Sequence, residues 1–245
     1  MKTTLPLKLA AVLLVAALSA CSVSVPSLKS VTGSGDVITI TNDSADFDRV
    51  VISHAFQASI QQGEVFSVVI RVDDNLEEYL EVTQVGRTLS VGLRPQLTFG
   101  ISRPTLEAEI TMPVLTAIEA SGASRVALAG FESQQDLTVE ATGASAVTGD
   151  IQAGVVTMTA SGASDITLVG SGEDLVLEVS GASSADLEEF VVSGVHAVLS
   201  GASTAVVNTS GALAVDASGA SHLTYVGNPA LGSMQTSGAS SVGER

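Results

Sequence analysis

The tripeptide Gly-Ala-Ser recurs seven times in the second half of the chain, and this repetition constrains the fold more than any other feature. The Gly of each copy stands at position 122, 143, 162, 181, 201, 219 or 238, so neighbouring copies are 18 to 21 residues apart. A short fixed period of this kind is typical of proteins in which one structural unit stacks on the next.

Each repeat also carries an alternating pattern of apolar and polar residues. Apolar side chains occupy the positions six, four and two residues before the Gly, as in Leu137, Val139 and Ala141, with Thr138 and Glu140 between them. Alternation with a period of two predicts a strand that buries one face. A second apolar column begins four residues after each Gly, and it predicts a second strand in every repeat.

Equivalent strands of successive repeats are expected to pair in register, because the same residue types return about every 19 residues. Antiparallel hairpins would instead require two-residue turns of a different composition. The sequence therefore predicts an all-β fold, a parallel β-helix with about 19 residues per coil. At a strand spacing of roughly 4.8 Å, the seven copies would extend over roughly 30 Å.

The orientation of the repeated serines stays open at this point. Strict alternation would direct them into the core, but a bend of the backbone at the Gly would reverse that direction. If the hydroxyl groups are buried they need partners, since an unpaired buried hydroxyl costs about 1–3 kcal/mol. The residues concerned are Ser124, Ser145, Ser164, Ser183, Ser203, Ser221 and Ser240.

Residues 35–118 lack the tag but keep the alternation expected of strands, for example in Phe66–Val72 and Leu89–Leu93. The segment Asp73–Tyr79 predicts a helical turn that an Asp or Asn side chain caps. A stack of coils leaves an open sheet edge at each end. We therefore predict that residues 35–118 form irregular coils that cap the N-terminal end and continue into the repeat region, residues 119–245.

Residues 1–20 predict an export signal peptide, in which Lys2 and Lys8 accompany the apolar run Leu9–Ala17. The tetrad Leu18–Cys21 resembles the lipobox of bacterial lipoproteins, in which Cys21 would be acylated and become the new N-terminus. Residues 21–34 would then form a tether. Ser22 is similar to the sorting pattern for the outer membrane of Gram-negative cells. The alternative is an ordinary secretory signal with an unrelated cysteine.

The formal net charge of −16 excludes one class of partner. Binding to nucleic acid requires cations that displace counterions from phosphates, so we expect no nucleic-acid partner. Arg125 is the only Lys or Arg between Pro104 and Glu244. Protein charge is equally unsuited to an anionic membrane surface, so we expect the membrane to be reached through lipid on Cys21.

Parallel β-helices include polysaccharide lyases and hydrolases, and an enzyme has to be considered. Such sites need clustered carboxylates together with a basic residue or a metal. The repeats offer only Arg125, the scattered His196 and His222, and Tyr225. We interpret the two histidines as solvated surface residues and predict neither a catalytic site nor a cofactor.

Glu119 and Glu140 are weak candidates for a metal site. They occupy the same outward position, three residues before the Gly, in consecutive repeats. Carboxylate oxygens are ligands that suit calcium. The favoured alternative is an acidic, solvated face that keeps the protein soluble.

Five short motifs occur together in the chain: Phe47-Asp48-Arg49-Val50, Ile60-Gln61-Gln62-Gly63, Asp74-Asn75-Leu76, Leu89-Ser90-Val91, and Thr111–Leu115 before the first tag. In this combination the chain resembles, over roughly residues 35–242, the autotransporter-adhesin head domain family, also called head GIN, a family of unknown function. The resemblance implies a right-handed parallel β-helix on the cell envelope, with adhesion as a suggested role. Members often carry Gly before the aromatic of Ser53–Phe56, so the resemblance leaves that turn undetermined.

The preferred function is that of a non-catalytic envelope lipoprotein whose rigid β-helix binds a glycan, an envelope protein or another copy of itself. Two alternatives are a carbohydrate-active enzyme on the same fold and an accessory protein in envelope stress or signalling. The last coil leaves a choice open, because Ser240–Arg245 leave little sequence for a cap. An exposed terminal coil either pairs with something, as in a homo-oligomer, or is blunted by charge.

Overall fold

The computed structural model describes residues 30–94 and 100–245, and within them the chain forms 23 strands and one short 3₁₀ helix. Most strands belong to two large sheets, here called sheet I and sheet II, whose buried side chains share one hydrophobic core. The predicted parallel β-helix is confirmed.

Sheet I contains ten strands, which are β3 (Arg49–Ile52), β6 (Leu80–Val85), β7 (Thr88–Leu93), β10 (Ala117–Ala120), β12 (Leu137–Ala141), β14 (Val156–Ala160), β16 (Asp174–Val179), β18 (Gly194–Leu199), β20 (Ala212–Ala217) and β22 (Ala230–Thr236).

Sheet II contains eleven strands, which are β2 (Val37–Asn42), β4 (Gln57–Gln62), β5 (Ser67–Asp73), β9 (Leu106–Met112), β11 (Arg125–Glu132), β13 (Ala146–Gln152), β15 (Asp165–Ser171), β17 (Ser184–Val192), β19 (Thr204–Thr209), β21 (His222–Val226) and β23 (Ser241–Glu244). The strands β1 (Ser30–Thr32) and β8 (Gly100–Ser102) pair separately, and the 3₁₀ helix spans Asp74–Tyr79.

From β10 onwards each coil contributes one strand to each sheet, and every strand pairs in parallel with its equivalent in the next coil. The register follows the sequence repeat, so that Val139 lies beside Met158 and Ala141 beside Ala160. All four side chains are buried. The repeat thus places apolar residues above one another in the core, which is why the spacing of the tag predicts the stacking.

The Gly-Ala-Ser tag forms the corner between sheet I and sheet II. Each tag Gly has a positive φ, between 64° and 80°, which side chains other than Gly rarely adopt. The corners also contact each other closely, since the Ala163 N–H donates to the Gly143 oxygen at 2.9 Å. The bend leaves the alanine exposed and places the serine in the core.

The serines of the first six tags are therefore buried, which settles the orientation that the sequence left open. Ser164 shows how a buried hydroxyl is accommodated. Its Oγ donates to the Ser161 carbonyl oxygen at 2.9 Å and accepts the N–H of Ser145 in the preceding coil at 3.3 Å. The serine columns thus link consecutive coils inside the protein.

The N-terminal cap differs from a simple series of coils, because the chain doubles back. The coil formed by β3 and β4 lies next to β10 and β11, and the later strands β7 and β9 lie outside it. In addition, β5 is antiparallel to its neighbours β2 and β9, and β6 is antiparallel to β7. Segments that are distant in sequence are consequently adjacent at this end of the stack.

The predicted helical turn is present, but its predicted cap is not. Asp73 is the N-cap residue of the 3₁₀ helix and makes no side-chain bond to it. Its buried carboxylate instead accepts the N–H of Gly35 at 2.9 Å and the N–H of Thr105 at 2.7 Å. Asp73 therefore ties the segments before β2 and β9 to the cap.

The turn at Ser53–Phe56 keeps the corner geometry without a glycine. His54 and Ala55 have φ values of 61° and 63°, and the Ala55 N–H donates to the Gly122 oxygen at 2.9 Å. His54 accepts the Leu93 N–H through Nδ1 at 3.3 Å. The hydrogen bond of His54 thus occurs in a turn whose positive φ values glycine adopts more readily than other residues.

The predicted signal peptide and Cys21 lie outside the described residues. The end of the predicted tether is described, and there Ser30–Thr32 pairs with Gly100–Ser102 as β1 with β8. In the part of the chain that the structure describes, no helix combines the length and the apolar character needed to cross a membrane.

Candidate functional site

A groove lies on the outer face of sheet II, where the N-terminal cap meets the regular repeats. We call it the Arg125 groove, and its volume is about 330 Å³. This is at the small end of the range for ligand sites. The outward side chains that line it are Gln57, Ser59, Glu107, Glu109, Arg125, Ala127, Ala146 and Thr148.

The groove exists because short and long side chains alternate on an otherwise flat sheet. Ser59 and Ala127 face each other across β4 and β11. Longer side chains surround them. Glu109 on β9 is the register neighbour of Ser59, and Arg125 on β11 lies two residues before Ala127. Because outward residues alternate along each strand, the small floor and the long rim belong to the same face.

Two carboxylates form one wall of the groove, and both are held by an arginine of β5. The Nη1 of Arg71 lies 2.5 Å from Glu109 Oε1 and 3.7 Å from Glu107 Oε2. The hydrogen bond with Glu109, followed by attraction to the same carboxylate, raises the pKa of Arg71. All three side chains are about half exposed, so this cluster orients the wall more than it stabilises the fold.

Arg125 stands on the opposite side and has a different environment. Its register neighbours are Gln57 on β4 and Ala146 on β13, and neither carries a charge. Among the described residues its side chain makes no ion pair and no hydrogen bond. A guanidinium group with five free donors therefore borders the groove.

A second depression of about 320 Å³ adjoins the first and shares Ser59 and Glu109 with it. Hydroxyl and amide groups supply most of its polar lining, including Gln61, Ser67 and Thr111. Gln61 donates to Thr111 Oγ1 at 3.2 Å. The two depressions together form one extended surface, which is mainly apolar in the Arg125 groove and mainly polar in the second depression.

The candidate metal residues Glu119 and Glu140 lie on sheet I, whereas the Arg125 groove lies on sheet II. They pair in register on β10 and β12. Burial, and then the neighbouring charge of Glu140, raise the pKa of Glu119. Calcium takes six to eight oxygen ligands, and within residues 30–94 and 100–245 no three His, Cys, Asp or Glu side chains group to hold a metal. The calcium hypothesis stays a prediction that rests on two carboxylates.

The histidines do not converge on either face. His196 is exposed on sheet I. His222, on sheet II, contacts Ser241 Oγ through Nδ1 at 2.6 Å and Thr224 Oγ1 through Nε2 at 3.2 Å. A nucleophilic serine requires a histidine whose second nitrogen is held by an orienting group such as a carboxylate. Here both ring nitrogens contact hydroxyl groups.

Sequence patterns did not reveal the Arg125 groove. Its lining comes from β4, β9, β11 and β13, and β9 reaches β4 only because the chain doubles back. The one available signal was the isolation of Arg125 in an acidic region of the sequence.

Comparison with known proteins identifies related folds. Residues 46–229 match the family model described as "Putative auto-transporter adhesin, head GIN domain". No curated protein matches the chain.

Several solved structures share the fold. A "putative adhesin" from Bacteroides fragilis NCTC 9343 has a TM-score of 0.79 at 18% identity, covering 88% of this chain and 100% of its own. A "putative lipid binding protein" from Parabacteroides distasonis ATCC 8503 has a TM-score of 0.71 at 15% identity, covering 89% and 100%. A "putative adhesin" from Parabacteroides merdae ATCC 43184 has a TM-score of 0.65 at 17% identity, covering 88% and 99%. These likenesses show the fold.

Proposed function

This chain belongs to the family described as "Putative auto-transporter adhesin, head GIN domain", and on that premise we propose that it is a non-catalytic adhesin of the cell envelope that binds a glycan. The observation that carries the proposal is the Arg125 groove. Its rim supplies amide, carboxylate and guanidinium groups, and its floor is made of small side chains. A saccharide carries hydroxyl groups around a flat, apolar ring face. The polar rim of the groove is complementary to the hydroxyl groups, and its floor of small side chains is complementary to the ring face.

The rigid support of the groove also favours a binding role. The lining residues belong to strands that are paired on both sides within an eleven-stranded sheet. A site on paired strands holds its geometry better than a site on loops. The entropy lost on binding is therefore smaller than for a mobile surface.

The alternative of a carbohydrate-active enzyme is less well supported by the same groove. Glycoside hydrolysis uses two carboxyl groups that flank the scissile bond. Glu107 and Glu109 instead lie together on one wall of the groove, where Arg71 is within 4 Å of both. The groove is better suited to holding a saccharide than to cleaving it.

Lipid anchoring through Cys21 forms the second part of the proposal. The signal peptide, the lipobox-like tetrad and the acidic surface support it, because protein charge offers no attraction to an anionic membrane. Several acyl chains give stable anchoring, and the adhesin-like family agrees with a place on the envelope. The outer membrane is the proposed site in a Gram-negative cell.

Binding and turnover can be measured side by side. The full chain in detergent is applied to an array of bacterial and host glycans, and soluble oligosaccharides are incubated with it and assayed for new reducing ends. We expect saturable binding without cleavage. Cleavage by the purified protein would overturn the non-catalytic assignment, and the absence of binding to any glycan would overturn the adhesin assignment.

Anchoring is tested separately with Cys21→Ser. We expect the variant to lose incorporation of labelled fatty acid and to leave the membrane fraction, while Ser22→Ala serves as the matched control and remains acylated. A Cys21→Ser protein that is still acylated and membrane-bound would contradict the lipoprotein assignment.

A further inference from the structure

Arg125 is an isolated cation on an acidic protein. The chain has a formal net charge of −16, and Arg125 is the only Lys or Arg between Pro104 and Glu244. An exposed arginine on such a surface would be expected to pair with one of the many carboxylates. It does not do so within the described residues, although it lines a groove.

The strand register explains why Arg125 has no carboxylate partner. The nearest acidic residues in its row across sheet II are Glu107, beyond Gln57, and Asp165, beyond Ala146. Two strand spacings, roughly 9–10 Å, separate each of them from Arg125 along the sheet. Glu107 and Glu109 are in addition engaged by Arg71.

A guanidinium group that borders a groove without an internal partner is suited to a planar anion. Arginine presents donors in a fixed fork that matches a carboxylate with two parallel hydrogen bonds. Next to it, Gln57 can donate to and accept from hydroxyl groups, and Ser59 and Thr148 supply further hydroxyls. The methyl groups of Ala127 and Ala146 provide the apolar floor.

We infer that the Arg125 groove binds a saccharide that carries a carboxylate, and that Arg125 receives this carboxylate. The inference rests on the proposed function and names the class of glycan. Gln57 and the serine and threonine hydroxyls hold the sugar ring, and Glu109 accepts hydrogen bonds from its hydroxyl groups. Arg125 thereby determines specificity for acidic over neutral sugars.

The surrounding charge restricts the ligand further. The cation of the groove, Arg125, lies on a protein that is acidic overall, so a polymer with a carboxylate on every sugar meets repulsion beyond the groove. A saccharide whose carboxylates are separated by neutral sugars places one charge on Arg125 and keeps neutral units over the rest of the sheet. Sparsely charged acidic glycans are therefore preferred to polyuronates.

The test uses two acidic probes, 3′-sialyllactose and a hyaluronan hexasaccharide, each compared with the same saccharide after reduction of its carboxylates to alcohols. Hexagalacturonate serves as the densely charged probe. Affinities are measured by isothermal titration with the full chain in detergent. Arg125→Gln is the test variant, and Arg49→Gln is the matched control, because Arg49 is an exposed arginine on β3 in sheet I that forms no ion pair in the described structure.

We expect at least one acidic probe to bind the parent protein, with the reduced form roughly tenfold or more weaker, as for loss of a charged hydrogen bond. Arg125→Gln should cause a similar loss, whereas Arg49→Gln should change affinity less than about twofold, in line with the small effect of distant charges in salt. Both variants alter exposed side chains, and circular dichroism is used to check that they keep the β-sheet spectrum.

The outcomes separate the inference from the function on which it rests. Equal binding of the acidic and reduced forms, stronger binding of hexagalacturonate, or an unchanged affinity of Arg125→Gln would overturn the inference and leave glycan binding in place. If neither these probes nor any glycan of the array binds, both the inference and the proposed function are wrong.

Discussion

A Cβ atom on Gly181 would lie 2.4 Å from the carbonyl oxygen of Gly162 in the preceding coil. The backbone of the two corners is joined at the same point, where the Ala182 N–H donates to the Gly162 oxygen at 2.8 Å. The close approach of successive corners, together with a φ of 75° at Gly181, requires glycine there.

The first prediction compares two glycines that differ in this contact. Gly143→Ala should destabilise the protein by about 1–2 kcal/mol, the cost of a left-handed conformation, because its Cβ would meet nothing closer than 3.5 Å. Gly181→Ala should destabilise the protein clearly more, since the carbonyl oxygen of Gly162 has to move as well. Urea denaturation of both variants measures the difference, and equal losses would contradict the contact argument.

The second prediction concerns the serine columns. Ser164→Ala removes the acceptor of the Ser145 N–H and should destabilise the protein by about 1–3 kcal/mol, the cost of an unsatisfied buried group. Ser210→Ala, at an exposed position, should have little effect. Thermal unfolding followed by circular dichroism provides the comparison. If the two substitutions have the same effect, the internal hydroxyls do not link the coils.

The third prediction addresses the N-terminal cap. Asp73→Asn places an amide where two backbone N–H groups now donate to carboxylate oxygens. It should lower the free energy of unfolding by about 2–3 kcal/mol. Asp74→Asn changes an exposed neighbour and should cost much less. Hydrogen exchange should quicken at Gly35 and Thr105 only in Asp73→Asn. Unchanged protection at these two amides would show that Asp73 does not tie the cap together.

The fourth prediction follows from the raised pKa of Glu119, which burial causes and Glu140 reinforces. The folded protein holds this proton more tightly than the unfolded chain does, so the contribution of Glu119 to stability is most favourable at low pH. It is lost as the pH rises from the ordinary value of 4.5 through the raised pKa.

Glu119→Gln, which resembles the protonated form, should therefore raise the Tm at pH 7 and have less effect near pH 4. Glu178→Gln is the control, because Glu178 is exposed in the same outward column of sheet I. The Glu178→Gln control corrects for the general effect of removing one negative charge from an acidic protein. A Glu119→Gln effect that is the same at both pH values would contradict the raised pKa.

The regular coils could be predicted from sequence because their information is local and repeated. Leu137, Val139 and Ala141 alternate with polar residues, and the same pattern in the next repeat places Val156, Met158 and Ala160 beside them. A shift of one residue would expose the apolar face to solvent, so the alternation also fixes the register.

The cap and the groove could not be predicted in the same way. Each strand from Arg49 to Leu93 was recognisable by its alternation, but alternation does not say which strand becomes its neighbour or in which direction. The placement of β9 between β5 and β4 depends on long-range packing. The Arg125 groove depends on that placement, since β9 supplies Glu107 and Glu109.

The period, the alternation and the corner glycines are visible in the amino-acid sequence, and they predict a parallel β-helix because stacking repeats the same local requirements in every coil. The tertiary structure was needed to show that the serines face the core, since the backbone bend at each Gly sets their direction. The tertiary structure was also needed to show that Arg125 borders a groove opposite Glu109. The two residues lie on β11 and β9, and the placement of these strands on either side of β4 arises from packing at the capped end of the stack.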